Sequence, residues 1–187
     1  MQVTKINNYK ENLIKEIKRL SIKDIKKISN LFLKITKNNK QILICGNGGS
    51  AANSEHISND LMLGLNKKKI GLRILSLSSN FSKISCIAND INFSEIYSHQ
   101  VKTIGNKGDL LIVLSGSGNS KNIINALNVA KKKKIKTLAL LGFDGGIARK
   151  KCDYFVHFNI NDMQIAEDMQ MITMNMVMKY ISTIINN

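Results

Sequence analysis

The sequence predicts an α/β protein in which helices cover both faces of a parallel sheet. From residue 41 onward, short apolar segments alternate with helix-like segments, an order typical of parallel strands joined by crossover helices. The strand-like segments are apolar at nearly every position, as expected of strands buried on both faces. Two of these segments run into loops rich in glycine and serine, CGNGGS and LSGSGNS. Because ligands of such sheets bind at the carboxyl ends of the strands, the two loops are the first candidates for a site.

The first 40 residues are expected to be helical. Leucine and isoleucine recur at helical spacing across residues 8–37. Ser21 and Asp24 resemble a capping box that would start a second helix. We therefore expect one helix with a break, or two helices, before the alternation begins.

The alternating part is expected to contain five strands. They are predicted at residues 41–45, 72–78, 109–116, 136–142 and 154–159. The helices between and after them are predicted at residues 50–64, 82–90, 93–105, 120–134, 146–151 and 163–185. A chain of 187 residues is expected to form one domain, with a helical segment at 1–40, an α/β core at 41–160 and a C-terminal helix at 161–187.

The composition is that of an ordinary globular protein. Hydrophobic residues make up 43% and charged residues 22% of the chain. No apolar run approaches the roughly 20 residues that span a bilayer, and the N-terminus lacks the apolar region of a signal peptide. We therefore expect a cytoplasmic protein with no membrane partner.

The formal net charge of +15 raises the question of nucleic-acid binding. Only Arg19, Arg73 and Arg149 are arginines, although base recognition and bidentate phosphate contacts favour arginine over lysine. The lysines are scattered along the chain, which is typical of a genome-wide compositional bias. We therefore expect no nucleic acid as the main ligand, but a positive field would favour small anionic substrates.

The cysteines do not indicate a metal or redox site. Cys45, Cys86 and Cys152 form no closely spaced pair, and each is next to apolar residues. We expect all three to be buried free thiols.

The loop LSGSGNS has the composition of a phosphate-binding loop. Ser115, Ser117 and Ser120 offer three hydroxyls, and Gly116 and Gly118 allow backbone conformations closed to other residues. A helix starting near Ser120 would add free N–H groups. The segment has neither the Walker lysine pattern nor GxGxxG, so no nucleotide cofactor is expected. A capped strand-to-helix turn without a ligand is the alternative.

The loop CGNGGS has a similar design and is followed by ionisable residues. Asn47, Gly48, Gly49 and Ser50 form the turn, and Ser50 could cap the next helix. His56 and Asp60 then lie four residues apart on one helix face. Such a pair suits proton transfer or metal ligation, although a partly buried His–Asp pair with no further role is the alternative.

Together these segments resemble the sugar isomerase (SIS) domain, and more narrowly the phosphoheptose isomerases. The resemblance is carried by GNGGSA with the histidine after it, by SCIANDINF at residues 85–93 and by LSGSGNSKNI at residues 114–123. It implies a three-layer fold with a five-stranded parallel sheet, and a homotetramer with active sites between subunits. It also implies aldose–ketose isomerisation of a phosphorylated sugar by proton transfer through an enediol-type intermediate.

The resemblance also implies roles for individual residues. Phosphate would be held by the serines of the second loop, LSGSGNS, whereas CGNGGS is the first loop. Asp90 would lie near the pocket. The implied substrate-binding residues are Asn47, Gly48, Ser50, Asp90, Ser115, Ser117, Asn119 and Ser120.

In many of these isomerases zinc is held by a His and a Glu after GNGGS, and by a Gln and a His on the C-terminal helix. Here His56 matches the first ligand, Asp60 takes the place of the Glu, and Glu167 falls on the Gln position. Gln170 and Asn175 fall where relatives have histidines, and Gly64 where an arginine is common. His56, Asp60 and Glu167 are thus the candidate catalytic residues. They could bind zinc or another divalent metal, or Glu167 could itself be the base.

A second class of function stays open at this point. Some SIS proteins sense sugar phosphates without catalysis, and one close relative of the isomerases binds the bacterial replication initiator. The absent C-terminal histidine fits such a role, whereas three ionisable residues at cleft positions favour catalysis. The remaining histidines, His99 and His157, are expected to be structural.

Overall fold

The structure is a computed structural model that describes residues 2–63 and 71–186. The helices are α1 Gln2–Arg19, α2 Ile22–Lys37, α3 Gly49–Leu63, α4 Phe81–Asp90, α5 Ser98–Ile104, α6 Lys121–Lys132, α7 Gly146–Lys151 and α8 Met163–Asn186. The strands are β1 Ile42–Gly46, β2 Ile74–Ser76, β3 Leu110–Ser115, β4 Lys136–Leu141 and β5 Tyr154–His157. The predicted alternation of strands and helices is confirmed.

All five strands are parallel and lie in the order β2-β1-β3-β4-β5. Each strand presents alternate residues to opposite faces. Ile42 and Ile44 of β1 pack in one core with residues of α2, α3 and α8, whereas Leu43 and Cys45 pack in a second core with residues of α4 to α7. This two-sided burial explains why the strands are apolar throughout.

The strand order reverses between β1 and β3. β1 leads to β2 through α3 on one face, whereas β3 leads to β4 through α6 on the other face. In doubly wound sheets the crevice at such a switch point is the usual ligand site. Gly46 pairs with Leu114 at this point, so the two glycine-rich loops leave from neighbouring strand ends.

The N-terminal region forms two helices. The break lies at Leu20 and Ser21, and the Ser21 hydroxyl accepts the Asp24 N–H at 3.4 Å, as the capping pattern predicts. α1 is fixed to α8 by a hydrogen bond from the Tyr9 hydroxyl to Asp168. This bond and the nearby carboxylate raise the pKa of Tyr9 to about 12.

Three local features differ from the sequence prediction. The strand predicted at 72–78 is limited to Ile74–Ser76, and the helix predicted at 93–105 is divided into a short 3₁₀ helix, Phe93–Glu95, and α5. The Ser98 hydroxyl donates to the Glu95 carbonyl at 3.1 Å, a local bond that competes with a continuous helix. The expectation that all three cysteines are buried is correct only for Cys45, because Cys86 is exposed and Cys152 is half-buried.

No helix within residues 2–63 and 71–186 has the length and apolar character needed to cross a membrane.

Candidate functional site

The two glycine-rich loops are joined side by side at the switch point. The side-chain amide of Asn47 donates to Asn122 at 3.0 Å, and the amide of Asn122 donates back to Asn47 at 2.9 Å. The side-chain oxygen of Asn122 also accepts the Ile123 N–H at 2.9 Å. Because Asn122 is only 2% exposed, this reciprocal pair fixes the spacing between the loops.

We expect Asn122→Ala to lower the free energy of unfolding by about 1–3 kcal/mol, because it leaves the Asn47 amide without its partner. Urea denaturation measures this change. Asn30→Ala at an exposed position of α2 is the control, and it should change stability by less than about 0.5 kcal/mol. Equal effects of the two substitutions would contradict the role given to the pair.

The second loop is ordered by its own serines. The Ser115 hydroxyl accepts the Gly118 N–H at 3.0 Å, and the Ser117 hydroxyl accepts the Asn119 N–H at 3.2 Å. Gly118 has φ +66°, and a side chain there would overlap the carbonyl oxygen of Gly145. The loop therefore takes a shape that requires glycine at position 118.

The second loop leads directly into α6. Ser120 precedes the first helical residue, and its side chain makes no capping hydrogen bond to the helix. The first-turn N–H groups of a helix attract anions such as phosphate. Asn119 has a structural role as well, because its side-chain oxygen accepts the Ile147 N–H at 3.0 Å.

The first loop is covered by α8. Oε1 of Glu167 accepts the Ser50 N–H at 3.0 Å, and Gln170 donates to the Ser50 hydroxyl at 3.2 Å. A side chain at Gly49 would overlap the Glu167 carboxylate. Glu167 therefore lies at the N-terminus of α3, where the helix dipole favours a negative charge.

Asn53 makes the same junction more rigid. Its side-chain amide donates to the Glu167 carbonyl at 3.0 Å and to Gln170 at 3.1 Å. Gln170 is fully buried, so this polar network holds Glu167 in one position beside Ser50.

His56 and Asp60 form a separate pair farther along α3. His56 Nε2 lies 3.2 Å from Asp60 Oδ2, and the side chains are 62% and 42% exposed. At 1.5 Å per residue, Asp60 lies about 15 Å along the helix axis from Ser50. The pair is therefore more exposed than the sequence suggested.

The structure does not assemble the predicted metal site of His56, Asp60 and Glu167. Within the described residues, no three His, Cys, Asp or Glu side chains converge closely enough to hold an ion. The reason is that Glu167 is bound to the start of α3, whereas the other two residues lie two to three turns later. Asn175, which takes the place of a histidine of the relatives, is exposed and lines a groove between α2 and α8. Gly64, which takes the place of an arginine, lies outside the described residues.

We expect Asp60→Asn to change the free energy of unfolding by less than about 1 kcal/mol, because an exposed ion pair contributes little. Thermal unfolding of the variant measures this. A larger loss would show that the pair is needed for the fold. With stability preserved, any loss of activity in this variant reports on chemistry.

Asp90 ends α4 and is exposed. It accepts hydrogen bonds from the Asn89 amide at 2.9 Å and from the Cys86 thiol at 3.3 Å. These bonds lower the pKa of Asp90, that from Asn89 most, and the bond to Asp90 raises the pKa of Cys86. In the described part of the chain no hydrogen bond joins Asp90 to either loop.

The sequence analysis missed Ser78 and Tyr97, which support the end of β1. The Ser78 hydroxyl donates to the Gly46 carbonyl at 3.2 Å, and the Tyr97 hydroxyl donates to the same oxygen. Burial raises the pKa of Tyr97 to about 12. Serines at the carboxyl end of β2 were the available signal for Ser78, whereas nothing in the local pattern marked Tyr97.

Among the described residues, neither remaining histidine forms a hydrogen bond with the two loops. His157 bonds to the Phe143 carbonyl through Nε2 at 2.9 Å, and His99 is exposed on α5.

Comparison with known proteins identifies the family. The family model of the SIS domain matches residues 7–142. The chain is 35% identical to a phosphoheptose isomerase of Aliarcobacter butzleri over 88% of this chain and 86% of that protein. It is 36% identical to one of Helicobacter pylori, over 90% and 88%.

A solved structure of phosphoheptose isomerase from Neisseria gonorrhoeae has the same fold. It superposes with a TM-score of 0.88 at 26% identity, and the match covers 96% of this chain and 97% of that one. The chain therefore belongs to the SIS domain family, within the group of the phosphoheptose isomerases.

Proposed function

We propose that this protein is a phosphosugar aldose–ketose isomerase acting on sedoheptulose 7-phosphate or a similar ketose phosphate. The observation that carries the proposal is the arrangement at the switch point. There the second loop, which is lined by serines and leads into α6, lies beside the first loop, to which the Glu167 carboxylate is bound. One loop suits the phosphate of such a substrate, and the other suits its reacting end.

In this proposal the phosphate binds at the second loop. Ser115, Ser117 and Ser120 supply hydroxyls, and the start of α6 supplies free N–H groups. Other residues proposed to contact the sugar are Asn47, Gly48, Ser50, Asp90 and Asn119. The net charge of +15 favours encounter with the anionic substrate.

The chemistry we propose is proton transfer between neighbouring carbons. A base removes a proton from C1 of the ketose, electrons move to the C2 carbonyl oxygen, and an enediolate forms. A proton returned to C2 and transfer of the remaining proton between the two oxygens give the aldose. We assign the base to Glu167, whose Oε1 accepts from Ser50, which leaves Oε2 to carry the proton.

His56 and Asp60 are proposed to take part as acid–base groups that exchange protons with substrate oxygens. Their imidazole and carboxylate are 3.2 Å apart and accessible to a ligand. A metal has no step in this mechanism, because the residues expected to hold one do not come together within the described chain.

The experiment that tests the proposal is incubation of the purified protein with sedoheptulose 7-phosphate, with and without added zinc. Aldose formation supports the isomerase. No turnover, combined with a higher melting temperature in the presence of the sugar phosphate, would reject the isomerase and favour a phosphosugar-binding protein.

We also propose that the protein is cytoplasmic and forms a homotetramer with active sites between subunits. Apolar side chains exposed on the N-terminal helices support assembly: Ile6 and Ile22 are 68% and 62% exposed. The groove of about 480 Å³ between α2 and α8 is lined by Ile25, Ile172 and Met176, among others. Burial of such surfaces is a common driving force for association.

A further inference from the structure

A cavity of about 620 Å³ lies at the end of the sheet opposite the candidate site. It is formed where β3, β4 and β5 begin, and Gly108, Lys136 and Asp153 are in its wall. Its volume is in the range of small-molecule sites. The length of β3 alone separates it from the serine loop by about 17 Å.

The wall of this cavity is rich in lysine. Six of its eleven residues are lysines: Lys107, Lys131, Lys134, Lys136, Lys150 and Lys151. They come from the loop before β3, the end of α6 and the turn after it, the start of β4, and α7. Lysine and arginine together make up only 28 of the 187 residues of the chain. The compositional bias therefore does not account for a wall that is more than half lysine.

Nearby carboxylates offset only part of the positive charge of the cavity. Asp153 is the one acidic residue of the wall in the described part of the chain. Its Oδ2 accepts from the N–H and the hydroxyl of Thr137 at 2.9 and 3.1 Å. Asp109, at the start of β3, accepts the N–H groups of Gln41 and Asn106 at 3.0 and 2.7 Å. Across the described ranges, no wall lysine forms an ion pair with a carboxylate.

The backbone around the cavity is fixed by hydrogen bonds. The Gly108 N–H donates to the Lys134 carbonyl at 3.2 Å, and the Lys136 N–H donates to the Asp109 carbonyl at 2.9 Å. Lys151 donates to the side chain of Asn128 at 2.9 Å. The backbone that carries Lys134 and Lys136 is thus held in place, which lowers the entropy cost of binding a multivalent anion.

Among the described residues, the wall contains no arginine and no aromatic side chain. Stacking on a nucleobase and bidentate base contacts are therefore unsupported, whereas lysines suit phosphate as point charges. We propose that this cavity binds a polyphosphate group, either as free polyphosphate or as the phosphate tail of a nucleotide.

The test is isothermal titration of the intact protein with tripolyphosphate, ATP and AMP at low salt. We expect tripolyphosphate and ATP to bind and AMP to bind far more weakly. A tighter complex with ATP would identify nucleotides as the source of the group, and equal affinities would identify the phosphate chain alone.

A triple variant, Lys131→Gln with Lys136→Gln and Lys150→Gln, should weaken tripolyphosphate binding roughly 10- to 100-fold. The matched control is Lys23→Gln with Lys37→Gln and Lys83→Gln, three exposed lysines outside the cavity. This control makes the same charge change and should alter affinity by less than about threefold. Thermal unfolding of both variants confirms that they are folded.

Three results would overturn the proposal. Equal weakening by both triple variants would show a general effect of net charge. Loss of tripolyphosphate binding in Ser120→Ala would place the anion in the serine loop. Binding of a DNA duplex that depends on the cavity lysines, without binding of tripolyphosphate, would identify a nucleic-acid surface instead.

Discussion

Glu167→Gln is expected to lower kcat for sedoheptulose 7-phosphate isomerisation by roughly 100-fold or more. The substitution keeps the shape of the side chain, and its amide oxygen can still accept the Ser50 N–H that Glu167 accepts at 3.0 Å. It removes the negative charge and with it the ability to take a proton from carbon. Steady-state kinetics should therefore show a loss in kcat with little change in KM.

The control for this variant is Glu11→Gln, which makes the same change at an exposed position of α1. It should leave kcat within about twofold, as expected for a surface substitution. Glu167→Gln should also remain folded, with a stability loss near the roughly 0.3–1 kcal/mol of a charge at a helix N-terminus. Unchanged kcat in Glu167→Gln would remove Glu167 from the mechanism.

Gly118→Ala is expected to distort the phosphate loop and lower kcat/KM by roughly 100-fold, because small misplacements of a binding group have large effects. At φ +66° an alanine is strained, and its side chain would overlap the Gly145 carbonyl. Strain and overpacking together should lower the free energy of unfolding by about 2–5 kcal/mol. Enzyme assays and urea denaturation measure the two effects.

Gly48→Ala provides a matched comparison within the first loop. Gly48 also has a positive φ, +55°, but a side chain there would meet no atom within 4 Å. Only the backbone strain remains, so its stability loss should be about 1–2 kcal/mol. If Gly118→Ala were no more destabilising than Gly48→Ala, the close approach of the second loop to Gly145 would not matter for the fold.

Much of the fold was predictable because its signals are local. Apolar runs located the strands, and Ser21 located the break between the first two helices. The glycine and serine residues around Gly118 were enough to predict the second loop from the sequence alone. The start of α5 was missed, because the side-chain bond from Ser98 to the Glu95 backbone is not visible in a hydrophobic pattern.

Other features depend on contacts between distant parts of the chain. Glu167 reaches Ser50 across 117 positions, and Asn122 reaches Asn47 across 75. Neither contact can be inferred from local spacing. For the same reason the lysines around the cavity looked scattered in the sequence, although the fold gathers six of them around one space.

The most direct test of the central claim, that the protein isomerises a phosphosugar by proton transfer, is the reaction carried out in deuterium oxide and followed by NMR. The account predicts that the aldose product carries solvent deuterium at C2, and that the rate of its formation falls sharply in Glu167→Gln. Aldose formed by wild-type protein with no deuterium at C2, at a rate that Glu167→Gln leaves unchanged, would contradict proton transfer by Glu167 through an enediol, and no aldose at all would contradict the isomerase itself.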